Sequence, residues 1–427
     1  MAFYEQRWSP GDPAAATRSE RAGATYATYR ADPLRERRFT LSPATARSIE
    51  NASLGVAEIE ATTQSLGNTE ALGRLLLRAE AVGSSRIEGL EVGPRRLLRA
   101  EFARLDAETR SSYDVAHEVL GNIDAMALVV ERSKPGVPLT LDALLIAHET
   151  LMRSTRNASI GGVIRSTQNW IGGDSIGRAE FVPPPPEDVP ALLDELVSFI
   201  NKSDLPAIAI AAVAHAQFET IHPFADGNGR IGRALIHMVL RQYGLIAATS
   251  PPISLILATQ SLEYIRALTA FRFDGDTQSE EAAASAEIWI RLFADSLAEA
   301  AERVAQFERE IERLQVSWKE QIGSIRRDSV VLTLLEHLPQ MPILNAATAQ
   351  VATGRSLTVI QDALSKLVDS GIIHQVTVGK RNRAYEVPEL IDAVTLLERR
   401  LASPIGDTAI AAPIRPVPKR PIRAKKS

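Results

Sequence analysis

Most of the chain carries the helical period. Apolar positions recur at three- and four-residue spacing from about Ser42 to Arg104, through Tyr113–Arg132 and Thr140–Arg153, and through Val189–Asn201 and Ala207–Thr220. Thr140 stands where an N-cap is wanted, since its hydroxyl can take a first-turn amide. Ile231 to Leu240 reads as a buried helix, and Ser261–Phe273 with Glu280–Ala298 completes an all-helical core. From Ala300 to Arg327 most faces are charged, with a seam of Val304, Phe307, Ile311, Leu314 and Trp318, which predicts a linker helix.

Strand signals are few. Gly161 to Gly173, then Ala179–Val182 and the four prolines Pro183 to Pro186, predict a hairpin around a Gly/Asp/Ser turn, closed by the prolines. Residues 1–40 are polar, Arg-rich and broken by Pro10, Pro13 and Pro33, and read as a loosely ordered lead-in. Past the linker, helices are predicted over Val330–Leu338, Asn345–Thr353 and Ser356–Ser370, with Gly354 as a turn. Ile372–Thr377 and Ala384–Val387 then flank Lys380, Arg381 and Arg383. Three helices and a basic-tipped hairpin resemble a winged helix. Pro404 to Ser427, with Lys419, Arg420, Arg423, Lys425 and Lys426, reads as a disordered basic tail.

The 427 residues are enough for two or three domains, and a hydrophobic content of 45% argues against global disorder. Cysteine is absent, which excludes disulfides, a thiolate nucleophile and Cys-based zinc sites. Met1 to Trp8 lacks signal-peptide features and no apolar run is long enough for a bilayer, so no membrane role and a cytoplasmic location are expected. The net charge of −4 does not speak for or against polyanionic partners.

The chemistry concentrates in His222-Pro223-Phe224-Ala225-Asp226-Gly227-Asn228-Gly229-Arg230-Ile231-Gly232-Arg233. Gly227, Asn228 and Gly229 can turn consecutive N–H groups toward one spot at the start of a helix, where the dipole favours phosphate. Arg230 and Arg233, three apart, share a helix face and could clamp a polyphosphate. Asp226 is a hard oxygen ligand suited to Mg²⁺, and His222 can accept a proton near neutral pH. Each part has a commoner structural use; their coincidence at this spacing points to a phosphate site.

This stretch resembles the signature of Fic-domain proteins, His-x-Phe-x-(Asp/Glu)-Gly-Asn-Gly-Arg-x-x-Arg, at every constrained position. The resemblance implies a protein adenylyltransferase that moves AMP from ATP to a Ser, Thr or Tyr hydroxyl of a target protein, or of itself, with release of pyrophosphate. His222 would be the base, Asp226 the Mg²⁺ ligand, Gly227, Asn228 and Gly229 the anion hole, and Arg230 and Arg233 the clamp on the outer phosphates. Phe224 would fix the loop from the core side. An aromatic after the signature helix lines the adenine pocket in the family, and Tyr264 is the candidate here.

Upstream, Ser84 and Glu88 lie four apart on one helix face, followed by Gly89 as a stop. Beside the signature they resemble the family's inhibitory motif, (Ser/Thr)-x-x-x-Glu-(Gly/Asn), in which Glu88 would pair with Arg233 and take the γ-phosphate's place. The predicted hairpin, residues 171–182, resembles the family's flap, which docks target backbone by strand addition.

His215 falls near the His222 face without a zinc pattern and is expected to pack behind the site; His117, His148, His237, His337 and His374 attract no role.

The expected fold is mainly α: an all-helical Fic core with a small β-hairpin flap and a C-terminal winged-helix (α+β) domain. The divisions are 1–40 lead-in, 41–110 N-terminal helices with the inhibitory helix, 111–300 catalytic core, 301–328 linker helix, 329–402 winged-helix-like domain and 403–427 tail.

Two alternatives stay open. The same site could remove AMP or use another nucleotide. In a different class, the chain could be a winged-helix DNA-binding regulator with a vestigial nucleotide domain. Asp362 and Asp369 on the third helix make a poor DNA footprint, so docking to protein or to a second copy in a homodimer is the favoured use of residues 329–402.

Overall fold

The computed structural model describes residues 2–10, 21, 23–65, 69–105, 114–247, 249–326, 329–378 and 382–401. At its centre lie two helices, Ala207–Ile221 and Asn228–Gln242, joined by the signature turn. The first is buried at every position from Ile208 to Ile221, and the second from Asn228 to Leu240. A helix without a polar stripe must be enclosed on all sides. The enclosing helices in chain order are α1 (Pro43–Ser65), α2 (Thr69–Ile87), α3 (Pro94–Leu105), α4 (Val115–Arg132), α5 (Leu141–Met152) and α6 (Val189–Lys202). The central pair are α7 and α8, followed by α9 (Ile253–Thr259), α10 (Ser261–Phe271) and α11 (Glu280–Ile322).

Local chemistry sets the ends of these helices. Asp114 caps α4 by accepting from the His117 amide, Thr140 caps α5 through Ala143, and Ser279 caps α11 through Ala282. α11 is one continuous helix of 43 residues, about 65 Å at 1.5 Å per residue, where the sequence predicts a core helix and a separate linker. It stops at Gly323, whose φ of 74° suits glycine. Trp289, fully buried, donates to the Ala212 carbonyl at 2.6 Å and anchors α11 to the central helix.

Among the described residues between 2 and 40, two strands form. β1 (Phe3–Ser9) and β2 (Ala24–Arg30) pair antiparallel, Phe3 opposite Arg30 and Ser9 opposite Ala24. Their other partners are distant in sequence: the Tyr29 amide donates to Val182, Ala2 bridges to Gly275, and the Tyr29 hydroxyl donates to the Phe273 carbonyl. Strand pairing of this kind leaves little helical-type periodicity in the sequence.

The C-terminal part contains α12 (Val330–His337), β3 (Ile343–Leu344), α13 (Ala346–Thr353), α14 (Leu357–Asp369), β4 (His374–Val378), β5 (Asn382–Glu386) and α15 (Pro388–Leu401). The sheet runs β3-β5-β4, all antiparallel. β3 and α15 add to the elements read from sequence, and Gly354 makes the predicted turn, in the left-handed region at φ 65°. Lys380, Arg381 and residues 403–427 lie outside the described residues. This part shares its apolar core with the rest of the molecule, through residues such as Trp318, Leu334 and Leu364. No described helix is long and apolar enough to cross a membrane.

Candidate active site

α7 ends on His222, which adopts φ 48° and ψ 61°, the one positive φ outside glycine among the described residues. A left-handed residue with a side chain costs about 1–2 kcal/mol, so neighbours must hold it. Arg165 does much of this. Its Nε donates to the His222 carbonyl at 2.8 Å, and its Nη2 to the carbonyls of Pro184 at 2.6 Å and Ile221 at 3.2 Å. Asn169 Nδ2 donates to the carbonyls of His222 at 3.2 Å and Phe224 at 3.0 Å.

The loop is closed by Asn228. Its Oδ1 accepts from the Phe224 amide at 2.8 Å and its Nδ2 donates to the Phe224 carbonyl at 2.7 Å. The Asn228 side chain is therefore spent on the loop, and what it can offer an anion is its backbone amide at the start of α8. Phe224 is buried, as the signature requires, and stacks on His148 with ring centroids 3.7 Å apart. His148 accepts the Gly162 amide on Nδ1 at 2.9 Å, so Nε2 carries the proton and donates to the Asp226 carbonyl at 3.0 Å. Burial pushes this ring down to about 4, which keeps it neutral.

Gly227, at φ 78°, is the N-cap of α8. Asp226 Oδ1 accepts from the Gly227 amide at 2.6 Å and lies 3.4 Å from Arg230 Nη2, while 46% of its side chain stays exposed. A single open carboxylate beside an anion cradle fits a Mg²⁺ ion that takes its other ligands from water and phosphate. Among the described residues no cluster of three or more His, Asp or Glu could hold a metal without such help. Arg230 is 4% exposed, and its Nε and Nη1 are buried with no acceptor among the described residues. Buried donors left open in this way fit a bound anion.

Arg233 has no such vacancy. Its Nε donates to Ser84 Oγ at 2.9 Å, and its Nη2 to the Ser84 carbonyl at 2.8 Å and to Glu88 Oε1 at 2.7 Å. Glu88 Oε1 stands only 2.0 Å from where a Cβ on Gly229 would lie, so the missing side chain there makes room for the carboxylate. Burial works to raise the Glu88 carboxyl, but the charge and hydrogen bond of Arg233, with Arg230 and His222 behind, hold it below the usual carboxylate range. The two arginines thus divide: Arg230 faces Asp226 and Arg233 faces Ser84 and Glu88.

His222 Nδ1 is buried without a hydrogen bond, and 19% of the side chain stays exposed, which leaves Nε2 as the edge a substrate can reach. Burial pushes the ring down to about 4; Arg272 and Arg165 add to this and Glu88 opposes it. Tyr264 does not line an open adenine pocket. It is 4% exposed, meets His215 Nε2 through its hydroxyl at 2.7 Å, and packs against Trp289. With Arg233 and Glu219 beside its hydroxyl, it supports the site from the core side.

The predicted flap is less regular than a hairpin. One bridge joins Ile171 and Phe181, around glycines 172 and 173 at φ 70° and 71° and a 3-10 turn at Ile176–Arg178. Side chains replace a ladder here: Gln168 donates to the Pro183 carbonyl, and Arg165 and Asn169 reach the His222 loop. Phe181 carries Arg272 on its face, 3.8 Å from the ring centre. Arg165, Asn169, His148, Glu219 and Arg272 are site residues that the sequence reading passes over. Glu219 alone had a local signal, the spacing of three that puts it beside His222 on α7.

A helical fold that sets open guanidinium donors at a helix start, with a histidine on the preceding turn, has the parts a bound phosphate would need. Residues 138–240 match the Fic/DOC family and residues 46–131 match the Fic/DOC family N-terminal region. It is 42% identical over 69 residues to a probable protein adenylyltransferase of Aquifex aeolicus, covering 16% of this chain and 22% of that protein. It is 32% identical over 136 residues to the protein adenylyltransferase Fic of Drosophila grimshawi, covering 31% of this chain and 26% of that one. The match thus spans about a quarter of each relative's length. A Fic family protein from Desulfovibrio desulfuricans G20 shares the fold at a TM-score of 0.53 and 19% identity, covering 82% of this chain and 97% of that one.

Proposed function

We propose that this protein is a self-inhibited adenylyltransferase that moves AMP from ATP to a hydroxyl of a target protein. The observation that carries the reading is the contrast between the two arginines: Arg230 has buried donors open, while Arg233 is closed by Glu88 and Ser84. A triphosphate needs both cations, so Glu88 competes with its outer phosphate for Arg233. With Glu88 displaced, Arg230, Arg233 and the amides at the start of α8 hold the phosphates, and Asp226 holds Mg²⁺, which supplies charge neutralisation when bound. His222 Nε2 then takes the proton of the target hydroxyl. The freed oxygen bonds to the α-phosphorus as the bond to the bridging α–β oxygen breaks, and pyrophosphate leaves. At about 4 the His222 ring is a weak base; phosphate charge beside it raises its basicity toward the working pH. The Ile171–Phe181 segment is the surface on which target backbone would dock.

The C-terminal part, ordered helix, strand, two helices and hairpin, resembles a winged helix, and we read it as a protein-docking unit. Leu357 and Val359 are exposed at 46% and 43% on α14, the helix that would enter DNA. Apolar side chains there favour a protein partner over phosphates.

The test is incubation with labelled ATP. Glu88→Gly is expected to raise self-modification at least tenfold, which corresponds to roughly 1.4 kcal/mol of released competition. That figure allows for screening of a carboxylate 38% exposed. Adding His222→Ala should erase the label. Equal labelling of wild type and Glu88→Gly would sink the inhibitory reading. Labelled GTP, CTP and UTP in parallel identify the base, and loss of AMP from pre-labelled protein marks the reverse activity.

A further inference from the structure

Glu219 sits one turn before His222 on α7 and is 7% exposed, with its Oε2 3.9 Å from His222 Nδ1. His222 Nδ1 and Glu219 Oε1 are both buried without a hydrogen-bond partner among the described residues. A buried ring nitrogen is rarely left orphaned in a packed interior, and the carboxylate oxygen Oε2 lies 3.9 Å from this one. The opposite wall is shaped for the carboxylate: a Cβ on Gly232 would stand 2.3 Å from Glu219 Oε1. Gly229 and Gly232, three apart on α8, thus leave room for two carboxylates near Arg233, Glu88 and Glu219.

We propose that Glu219 is a positioning residue for His222, its carboxylate accepting the Nδ1–H so that a bare Nε2 faces the target hydroxyl. The inference rests on the transferase reading, in which His222 is the base. An approach of about 1 Å brings the carboxylate within hydrogen-bond range.

The arrangement sets a pH dependence. Burial pushes the Glu219 carboxyl up to about 7; Arg233 from α8 and Arg272 work against this, and Glu88 from the end of α2 works with it. Tyr264 from α10 is the remaining titratable neighbour and stays protonated throughout, since burial raises it. Above about 7 the ionised carboxylate accepts from Nδ1–H, and Nε2 is free to take a proton. Below it the carboxylic acid donates to Nδ1, the ring proton moves to Nε2, and the base is lost. In the nucleotide-free protein the ring itself, at about 4, is neutral across this window, so Glu219 sets the acid limb of kcat/KM.

The experiment pairs kinetics with a readout that needs no turnover. In a Glu88→Gly background, Glu219→Gln should cut AMP incorporation at pH 8 at least tenfold and abolish the limb near 7, with KM for ATP within twofold. Gly232→Ala, which displaces the carboxylate, should do the same. In ¹⁵N-histidine-labelled protein, the His222 ring should be the Nδ1–H tautomer at pH 8 and convert on acidification with a midpoint near 7. Glu219→Gln should lose that transition. An unchanged tautomer and pH profile in Glu219→Gln overturns the proposal. If Glu88→Gly labels nothing, the transferase reading fails, while the imidazole spectra still decide the role of Glu219.

Discussion

Arg165 shows how much one side chain can hold. It donates to four main-chain carbonyls, those of His222, Thr167, Pro184 and Ile221, and no carboxylate lies within ion-pair distance among the described residues. Burial pushes its guanidinium down to about 10, which still leaves it charged at neutral pH. Removing it strands several buried acceptors, at about 1–3 kcal/mol each before relaxation. Arg165→Ala should therefore cost about 2–4 kcal/mol in urea unfolding. It should also cut labelling at least a hundredfold in the Glu88→Gly background while nucleotide affinity changes less than threefold, because the loop that aims His222 is lost and the phosphate cradle is not. Loss of affinity in proportion to rate would show that Arg165 supports the cradle instead. Lysine cannot replace it, since one ammonium lacks the planar fork that spans these acceptors.

At the scale of elements, α2 acts as a rigid arm. Glu80 accepts from the Ser254 amide at 2.9 Å and hydroxyl at 2.5 Å, with His237 Nε2 at 3.2 Å. Asn122 donates to the Ala81 carbonyl at 2.9 Å and to Ser85 Oγ at 3.1 Å, and Gly83 lies against Leu255, where a Cβ would meet it at 2.7 Å. The helix ends at Ile87, and Gly89 turns the chain at φ 76°, so Glu88 projects from a fixed end. Asn122→Ala touches neither Arg233 nor the loop, yet it leaves two buried acceptors under α2 with one partner fewer, at about 1–2 kcal/mol. It should raise basal labelling threefold or more and speed hydrogen exchange along α2. Faster exchange with unchanged labelling would separate the seating of α2 from the state of the site.

At the scale of the whole molecule, the C-terminal unit docks on α3, the helix that follows Glu88 in the chain. Leu98 and Phe102 of α3 pack with Ile343, Ala384 and Ile391. Glu386, whose side chain is 6% exposed, takes Arg99 at 2.7 Å and Arg95 at 3.5 Å. Trp318 on α11 donates to Glu389 at 2.6 Å and ties α15 to the long helix. Glu386→Ala removes the shared anion of two arginines that are about half exposed, so about 1–2 kcal/mol is expected after screening. The result should be an earlier unfolding step of residues 329–401 in hydrogen exchange; a single unshifted transition would refute it. By itself the sequence determined the helical class, most helix positions and the turn from His222 into a helix that carries Arg230 and Arg233. Periodicity, caps and glycine turns act over a few residues, and so they leave a local pattern. Tertiary structure alone decided that Arg165, Asn169 and His148 brace the loop, that Tyr264 is enclosed, that residues 3–9 and 24–30 form strands, and that α11 runs unbroken. Those outcomes depend on which distant groups meet in space and on how much water burial removes from them, and neither leaves a mark on neighbouring letters of the chain.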